Sequence, residues 1–467
     1  MSDFSARIQE YCGKRWRCPD CGGEHSVTTV FIQVGPDATA RLANVTCAIA
    51  PKGRILLVED ENTRVAAGDR ACKLLVDAGR QVDRFLYPGT VEADIESARK
   101  LLAQVRDEHS IIVAVGAGTI NDLSKYVADQ RKMPCLLVGT AASMNGYASA
   151  VAAVLADGVK RTFWVPPPLA VLVDLDVATN APIELARSGL ADLMAKPVSN
   201  ADWKLATLVK SELRDKGGKT THPVDVFCPV PYRMVHEAEI ACRARAKDIN
   251  ARKPDAMKLL TEGLILSSLS MVVAGHSAPA SGGEHYISHY WDMVGHMKGQ
   301  PHKLHGFQVG LGILASSTLY ARMRGMRPSD FKMDELARKH RTLEEEKERI
   351  RGAYGPLSDG VIQQFAQKYL DWDRKGAELK AILDNWNRIW DTLGEILVPP
   401  SEIKAALNAV GAPATAVALG FTRDDMRDSY RWARYMRSRY TILDLAADLG
   451  VLEETLEDVL QESGLLD

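Results

Sequence analysis

Hydrophobic positions change their spacing part-way along the chain. From about residue 28 to 175, short β-branched runs alternate with helical stretches: TVFIQVG, RILLVED, RQVDRFLY, SIIVAVG, MPCLLVG and LAVLVDL. That alternation predicts βαβ units and a parallel sheet. The intervening segments cover the sheet; in VEADIESARKLLAQVRD, Ile95, Ala98, Leu101, Leu102 and Val105 recur at helical spacing on one face. After the three prolines at 166–168 and one last strand the pattern changes. From about 182 to 467 the chain reads as long helical segments, and LEEEKERIRGAYG and DNWNRIWDTLGEIL are each charged on one face and apolar on the other. The prediction is an α/β domain with a parallel sheet over residues 1–180 and an all-helical domain over 181–467. An active-site cleft belongs between sheet and helices.

A chain of 467 residues is long enough for two such domains. Hydrophobic residues make up 46% and charged residues 25%, which is ordinary globular usage and leaves no room for a long disordered region. With 58 basic against 60 acidic residues, the formal net charge is -2, so no global field recruits nucleic acid or an anionic membrane. The opening MSDFSARIQEY carries charge where a signal peptide needs an apolar stretch, and no run approaches the roughly 18 apolar residues of a membrane helix. The expectation is a cytoplasmic protein that acts on a small molecule, without nucleic-acid or membrane partners, and assembles as a homo-oligomer.

Eight cysteines are sparse for this length, and residues such as Cys135 in MPCLLVG sit in apolar contexts, as reduced core thiols do. No disulfide is expected. In CGKRWRCPDCGGEH, the residues Cys12, Cys18, Cys21 and His25 include one CxxC pair with zinc-ligand spacing, but the second pair is irregular. The run is read as a Pro-Asp and Gly-Gly turn entering the first sheet strand, with zinc binding as the alternative.

Candidate chemistry gathers at two further places. In SIIVAVGAGTINDLSKYVADQ a buried strand runs into Gly116, Ala117 and Gly118 and then into a helix opened by Thr119 and Asn121. Backbone amides at such a helix start point at an anion, and the helix dipole favours a pyrophosphate there. The third glycine of the dinucleotide fingerprint is missing. RILLVE ends at Glu59, Asp60 and Glu61. A carboxylate at that strand end accepts hydrogen bonds from an adenosine ribose and repels a 2'-phosphate, which favours NAD over NADP; Asp60 as a simple helix cap is the competing reading.

Six of the eleven histidines fall between residues 276 and 305: His276, His285, His289, His296, His302 and His305. In GGEHYISHYWDM, His285 and His289 stand four apart, so both point from one helix face, as metal ligation and proton transfer require. A catalytic divalent ion commonly takes three protein ligands. Asp192, in the apolar SGLADLM segment, is the candidate third, although Lys196 four residues on could make it a plain ion pair.

Taken in order, GAGTINDLSKY, GTAASMNGYAS, SGLADLMAKPVSNADWKL, GGEHYISHYW and LHGFQVGLG resemble the glycerol-1-phosphate dehydrogenase family, part of the iron-containing alcohol dehydrogenase and dehydroquinate synthase-like fold. The resemblance runs from CPDCGGEH to RSRYTILDLAADLGVL, nearly the whole chain. It implies a nucleotide-binding α/β domain, a helical domain, and one divalent ion on Asp192, His285 and His305: zinc, with nickel or iron as alternatives. It further implies that His289 contacts substrate, and that Gly118, Thr119, Ile120, Asn121 and Asp122 form the pyrophosphate loop of NAD (or NADP). Thr140, Ala141, Ala142, Ser143 and Ser149 make further cofactor contacts, and Asp60 takes the ribose position. Two departures stand out, Asn145 where the family commonly has Asp and Pro197 where it commonly has Tyr; the first removes a charge expected beside substrate or ion, and so bears on substrate choice. The implied reaction is reduction of dihydroxyacetone phosphate or a similar small phosphorylated ketone by NADH. Rival readings are a polyol or other alcohol dehydrogenase, a dehydroquinate synthase-like lyase, and a non-catalytic metal- or nucleotide-binding protein.

Overall fold

The computed structural model describes residues 4–156, 159–214, 226–300 and 302–467. Two compact units make up the chain: Met1–Leu193 with Val230–Gly275, and Met194–Pro229 with His276–Asp467. A single cut near residue 180 therefore differs from the observed division, because the helices of 183–193 and 230–275 belong with the sheet.

Among its described residues the first unit has ten strands: β1 (Arg15–Arg17), β2 (Glu24–Ser26), β3 (Phe31–Gly35), β4 (Arg54–Asp60), β5 (Val82–Tyr87), β6 (His109–Gly116), β7 (Cys135–Gly139), β8 (Val151–Ala156), β9 (Val159–Trp164) and β10 (Ala170–Asp174). All six runs expected from the sequence form one parallel sheet in the order β3-β10-β7-β6-β4-β5. Strands β7 and β10 are buried along their whole length and β4 and β6 nearly so, which is why they read as continuous apolar runs rather than alternating ones. The chain runs from β4 outward to β5, then returns to β6 and proceeds the other way, so the strand order reverses between β4 and β6. Val58 stands opposite Ala114, which brings Asp60 and Gly116 to the same level at neighbouring carboxyl ends. That crevice is where open α/β sheets bind ligands.

Two hairpins lie outside the sheet. β1 pairs with β2, and β8 pairs antiparallel with β9. The second was not anticipated; its Phe163 ring meets Tyr126 edge-on at 4.9 Å.

The helices that matter here are α1 (Phe4–Tyr11), α2 (Ile95–Leu102), α3 (Gly118–Gln130), α4 (Ile183–Leu193), α5 (Lys196–Arg214), α6 (Pro229–Ala244), α7 (Pro254–Ala274), α8 (Gly283–Met297) and α9 (His305–Arg324). α2 turns Ala98 and Leu101 inward, as its spacing predicts. By length and composition α7 could cross a membrane, which corrects the expectation that no segment approaches that size. Polar residues at Thr261, Glu262, Ser267, Ser268 and Ser270 break its apolar run, and 89% of its most apolar window is buried among protein, as in a core helix. From Ile183 onward the described residues of both units contain helices and no strands, as the lost alternation implied.

Gly189 sets how closely α4 packs. A Cβ there would stand 2.0 Å from the Ala142 carbonyl oxygen, so only glycine lets the helix touch the segment after β7. Gly189→Ala is expected to destabilise the protein by about 1–3 kcal/mol through overpacking, read as a fall in Tm; an unchanged Tm would show that the loop yields freely.

Candidate functional site

In the first unit, β6 delivers Gly116 and Ala117 to the start of α3, whose first turn carries no side-chain cap. The first-turn amides thus remain oriented for an anion. The side chains behind this turn hold it still. Asp122 accepts from the Ala153 amide at 3.1 Å and pairs with Lys125 at 3.1 Å, while Lys125 and the Asn121 amide donate to the Gly146 carbonyl at 3.0 and 3.1 Å. Ser149 is fully buried, and its hydroxyl donates to the same carbonyl at 2.9 Å. Asp122 and Ser149 therefore brace the turn through their own side chains.

Across the switch point, Asp60 ends β4. Its Oδ1 accepts from the Thr63 amide at 2.8 Å and its own amide donates to Thr63 Oγ1 at 3.0 Å, so it closes a capping box. Glu59 turns into the sheet, where it pairs with Arg84 at 2.6 Å; burial raises its pKa against the pull of that guanidinium. Of the acidic trio only Asp60 and Glu61 stay at the strand end.

Thr140, Ala141, Ala142 and Ser143 follow β7 in an extended segment. The Thr140 amide donates to the Gly116 carbonyl at 3.2 Å, and the buried Tyr147 hydroxyl accepts from the Ser143 amide at 3.2 Å and donates to the Ala141 carbonyl. Burial pushes the Tyr147 phenol up, so it remains a donor. The segment then presents Asn145 to Asp192, which is fully buried on α4. The Asn145 backbone amide donates to Asp192 Oδ2 and its side-chain amide to Oδ1, both at 3.0 Å. Ser268 of α7 donates to the Asn145 carbonyl at 2.6 Å. The reading of Asn145 as a substrate-facing residue thus gains a second content: it orients a buried carboxylate. Lys196 lies beyond the end of α4 at Leu193, and its Nζ donates to the Ala280 carbonyl at 3.3 Å.

In the second unit, three of the six histidines come together and three do not. His285 and His289 on α8 and His305 at the head of α9 have ring centroids 5.2 to 6.0 Å apart. His276 accepts from the Ala278 amide at 3.2 Å and packs on Trp203, His296 is exposed, and His302 lies 3.9 Å from Asp292. The buried Glu284 carboxylate accepts from His285 Nδ1 at 2.9 Å, which turns the Nε2 edge of the ring away from Glu284. Glu284 also accepts from the Gly282 amide at 2.8 Å, and Asp202 accepts from the Gly283 amide, the Tyr320 hydroxyl and the Ile442 amide at 2.6 to 2.7 Å. Burial, then the nearby Glu284, pushes the Asp202 pKa up to about 7. A Cβ on Gly312 would lie 2.3 Å from the Glu284 carbonyl oxygen, which accounts for the glycine spacing of LHGFQVGLG: α9 must touch the start of α8. Glu284, Asp202 and Ser268 were not foreseen, since a carboxylate beside a histidine or a serine inside an apolar helix carries no signal until its partner is known.

Comparisons with known proteins bear on the family and the fold. Residues 33–182 match the family model for iron-containing alcohol dehydrogenases. A glycerol-1-phosphate dehydrogenase [NAD(P)+] of Halalkalibacterium halodurans is 34% identical over 308 residues, 64% of this chain and 73% of that protein. The chain belongs to the glycerol-1-phosphate dehydrogenase family. A second glycerol-1-phosphate dehydrogenase, from Bacillus licheniformis, is 28% identical over 97% of this chain and 96% of its own. Among solved structures, glycerol dehydrogenase from Schizosaccharomyces pombe matches with a TM-score of 0.54 at 15% identity, covering 93% of this chain and 92% of that one. Sulfoacetaldehyde reductase from Bifidobacterium kashiwanohense, in complex with NAD+, matches at 0.57 and 13% identity, over 92% and 97%. This glycerol-1-phosphate dehydrogenase family member is therefore an NAD(P)-dependent oxidoreductase of the iron-type alcohol dehydrogenase fold, and the lyase and non-catalytic readings lose their support.

Asn145→Asp would set a carboxylate against Asp192. A carboxyl whose folded pKa is raised by a like charge keeps a proton that the unfolded chain has released, so stability falls as pH rises from the ordinary carboxylate range through the raised value. Metal-stripped N145D is expected to be about 1–3 kcal/mol less stable than the parent at neutral pH, with a smaller deficit near pH 5 and recovery on adding a divalent ion. A deficit that ignores both pH and metal in thermal melts would rule out this account of Asn145.

Proposed function

We propose that the enzyme reduces dihydroxyacetone phosphate, or a closely similar phosphorylated ketone, with NADH to sn-glycerol 1-phosphate or its analogue, with one divalent ion held by Asp192, His285 and His305. The observation that carries this reading is the histidine cluster of α8 and α9, with His285 oriented by the buried Glu284. Two imidazoles and a carboxylate suit zinc, nickel or iron. The residues fit such an ion: the Glu284–His285 pair has the arrangement of a ligand imidazole with its supporting carboxylate, and Asn145 donates to both oxygens of Asp192 and so orients that carboxylate.

The ion, when bound, supplies Lewis-acid stabilisation of the negative charge that develops on the substrate oxygen. The protein's own residues do the rest. The Gly118 turn and first-turn amides of α3 would hold the cofactor pyrophosphate, with the Thr140–Ser143 segment beside it. NADH, when bound, would supply the hydride for the carbonyl carbon and leave as NAD+, and His289 would donate or relay the proton that the oxygen takes. His289 stands one helical turn from His285, near enough to serve the same oxygen.

The family's likeness to NAD(P)-dependent enzymes leaves the preferred nicotinamide open, and Asp60 and Glu61 favour the form without a 2'-phosphate.

With dihydroxyacetone phosphate and NADH the purified protein should show turnover and yield the sn-1 enantiomer of glycerol phosphate. The His285→Ala, His305→Ala double variant should lose one divalent ion per chain and drop kcat/KM by roughly a thousandfold or more. Turnover with unphosphorylated ketones alone, or full activity in the double variant, defeats the proposal.

Asp60→Asn retains a good helix cap while removing the charge. We expect the NADPH/NADH ratio of kcat/KM to rise about tenfold with Tm nearly unchanged. A ratio that stays put would assign Asp60 to capping alone.

A further inference from the structure

The reaction makes no use of the hairpin of β1 and β2, whose connecting turn carries CPDCGGEH. We propose that this turn binds a second metal ion, a structural zinc held by Cys18, Cys21 and His25 and closed by Cys228. One ligand atom from each of Cys18, Cys21 and His25 lies within 4.8 Å of the others, and Cys21 Sγ is 3.4 Å from His25 Nε2. Zinc–sulfur bonds of about 2.3 Å and zinc–nitrogen bonds of about 2.0 Å in a tetrahedron set ligand atoms roughly 3.5 to 3.8 Å apart, so a small contraction about a central ion completes the geometry. The backbone is already shaped for it. The Cys18 amide donates to the Gly23 carbonyl at 2.8 Å and the Gly22 amide to the Cys18 carbonyl at 2.9 Å, closing the turn that carries both thiols. His25 pairs with Trp16 across the two strands, and their rings lie 5.4 Å apart, which fixes the imidazole. Cys18 and His25 are buried although the strands beside them are three residues long. A hairpin that short does not hold its own shape in water and calls for a staple.

The fourth ligand follows from what the turn is tied to. Asp20, between the two cysteines, pairs with Arg233 at 2.5 Å, and Arg7 pairs with Glu237 at 2.7 Å and donates to the Arg233 carbonyl at 3.1 Å. Arg233 and Glu237 lie in the first half of α6, and Cys228 is the residue that leads into that helix at Pro229. Cys12, the other sequence candidate, is engaged elsewhere: its thiol donates to the Ile8 carbonyl at 3.4 Å, and burial pushes its pKa up to about 11. All eight cysteines are thiols. On binding, Cys18, Cys21 and Cys228 release their protons to solvent, giving a four-coordinate Cys3His set with no open position, which marks a structural rather than a catalytic ion.

Cobalt substitution of the full-length protein tests this without any mutation. Because the histidine and carboxylate ligands of the proposed catalytic ion include no sulfur, a thiolate-to-cobalt charge-transfer band reports the hairpin site alone. We expect that band, the release of zinc by a thiol-specific mercurial in the native enzyme, and a band that persists in the His285→Ala, His305→Ala variant. Cys228→Ser should weaken cobalt and zinc binding at this site by more than about tenfold, the least that loss of a supporting group costs. No charge-transfer band in the cobalt-substituted full-length protein overturns the site. Wild-type affinity and an unchanged band in C228S overturn the assignment of the fourth ligand.

Discussion

A buried carboxylate is an expensive thing for a protein to keep, and Asp192 shows what keeping it requires. Its side chain is fully buried on α4, and each of its oxygens meets a donor of Asn145, one from the backbone and one from the side chain. Such hydrogen bonds are strong because one partner is ionised. They hold the group in one orientation. The rest of the first unit converges on that arrangement. Gly189 lets α4 lie against the Thr140–Ser143 segment, Ser188 donates to the Ser143 carbonyl at 3.3 Å, and Ser268 of α7 fixes the Asn145 carbonyl.

The second unit solves a complementary problem, how to hold an imidazole in one orientation. Glu284 takes the Nδ1 side of His285 while also accepting the Gly282 amide, so one carboxylate both caps α8 and sets a tautomer. Asp202 takes the next amide, that of Gly283. Burial, with the Glu284 carboxylate close by, pushes the Asp202 pKa upward, and that shift is the cost of seating α8 rigidly. Rigid seating matters because His285 and His289 both depart from this helix, so a rotation of its first turn would misplace both together.

How far this could be read from the sequence depended on whether a residue's role was local. The four central strands were legible because burial on both faces leaves apolar runs, the edge strands β3 and β5 from their place in the alternation with helices, and the Gly116–Gly118 turn because strand, glycine and helix follow one another in the chain. The β8–β9 hairpin was passed over although its buried positions alternate and an Asp-Gly pair separates its strands in the sequence. Histidine density marked thirty residues, and the spacing of four put His285 and His289 on one face, but that the His305 ring joins them and those of His276, His296 and His302 do not is decided by the helix start and the α8–α9 packing. Asn145 was singled out as a departure from the family pattern, yet its partner stands forty-seven residues away along the chain, beyond what spacing can show. Asp60 illustrates the converse: capping was legible locally, and capping is what its Oδ1 does.

The N-terminal segment shows why a feature remote from the chemistry can still matter to it. Ser5 of α1 donates to Glu262 of α7, and Arg7 binds α6 through Glu237 and the Arg233 carbonyl. The turn between β1 and β2 reaches the same helix through Asp20. α7 in turn carries Ser268, six residues beyond Glu262, and Ser268 holds the loop that holds Asp192. Each link is a hydrogen bond, an ion pair or a shared helix, so the N-terminal segment and the support of Asn145 belong to one packed set of elements. The chain before the sheet is thus part of the scaffold that presents the buried carboxylate, and that is a physical reason for a short hairpin, unable to keep its own shape, to be stapled where it meets α6.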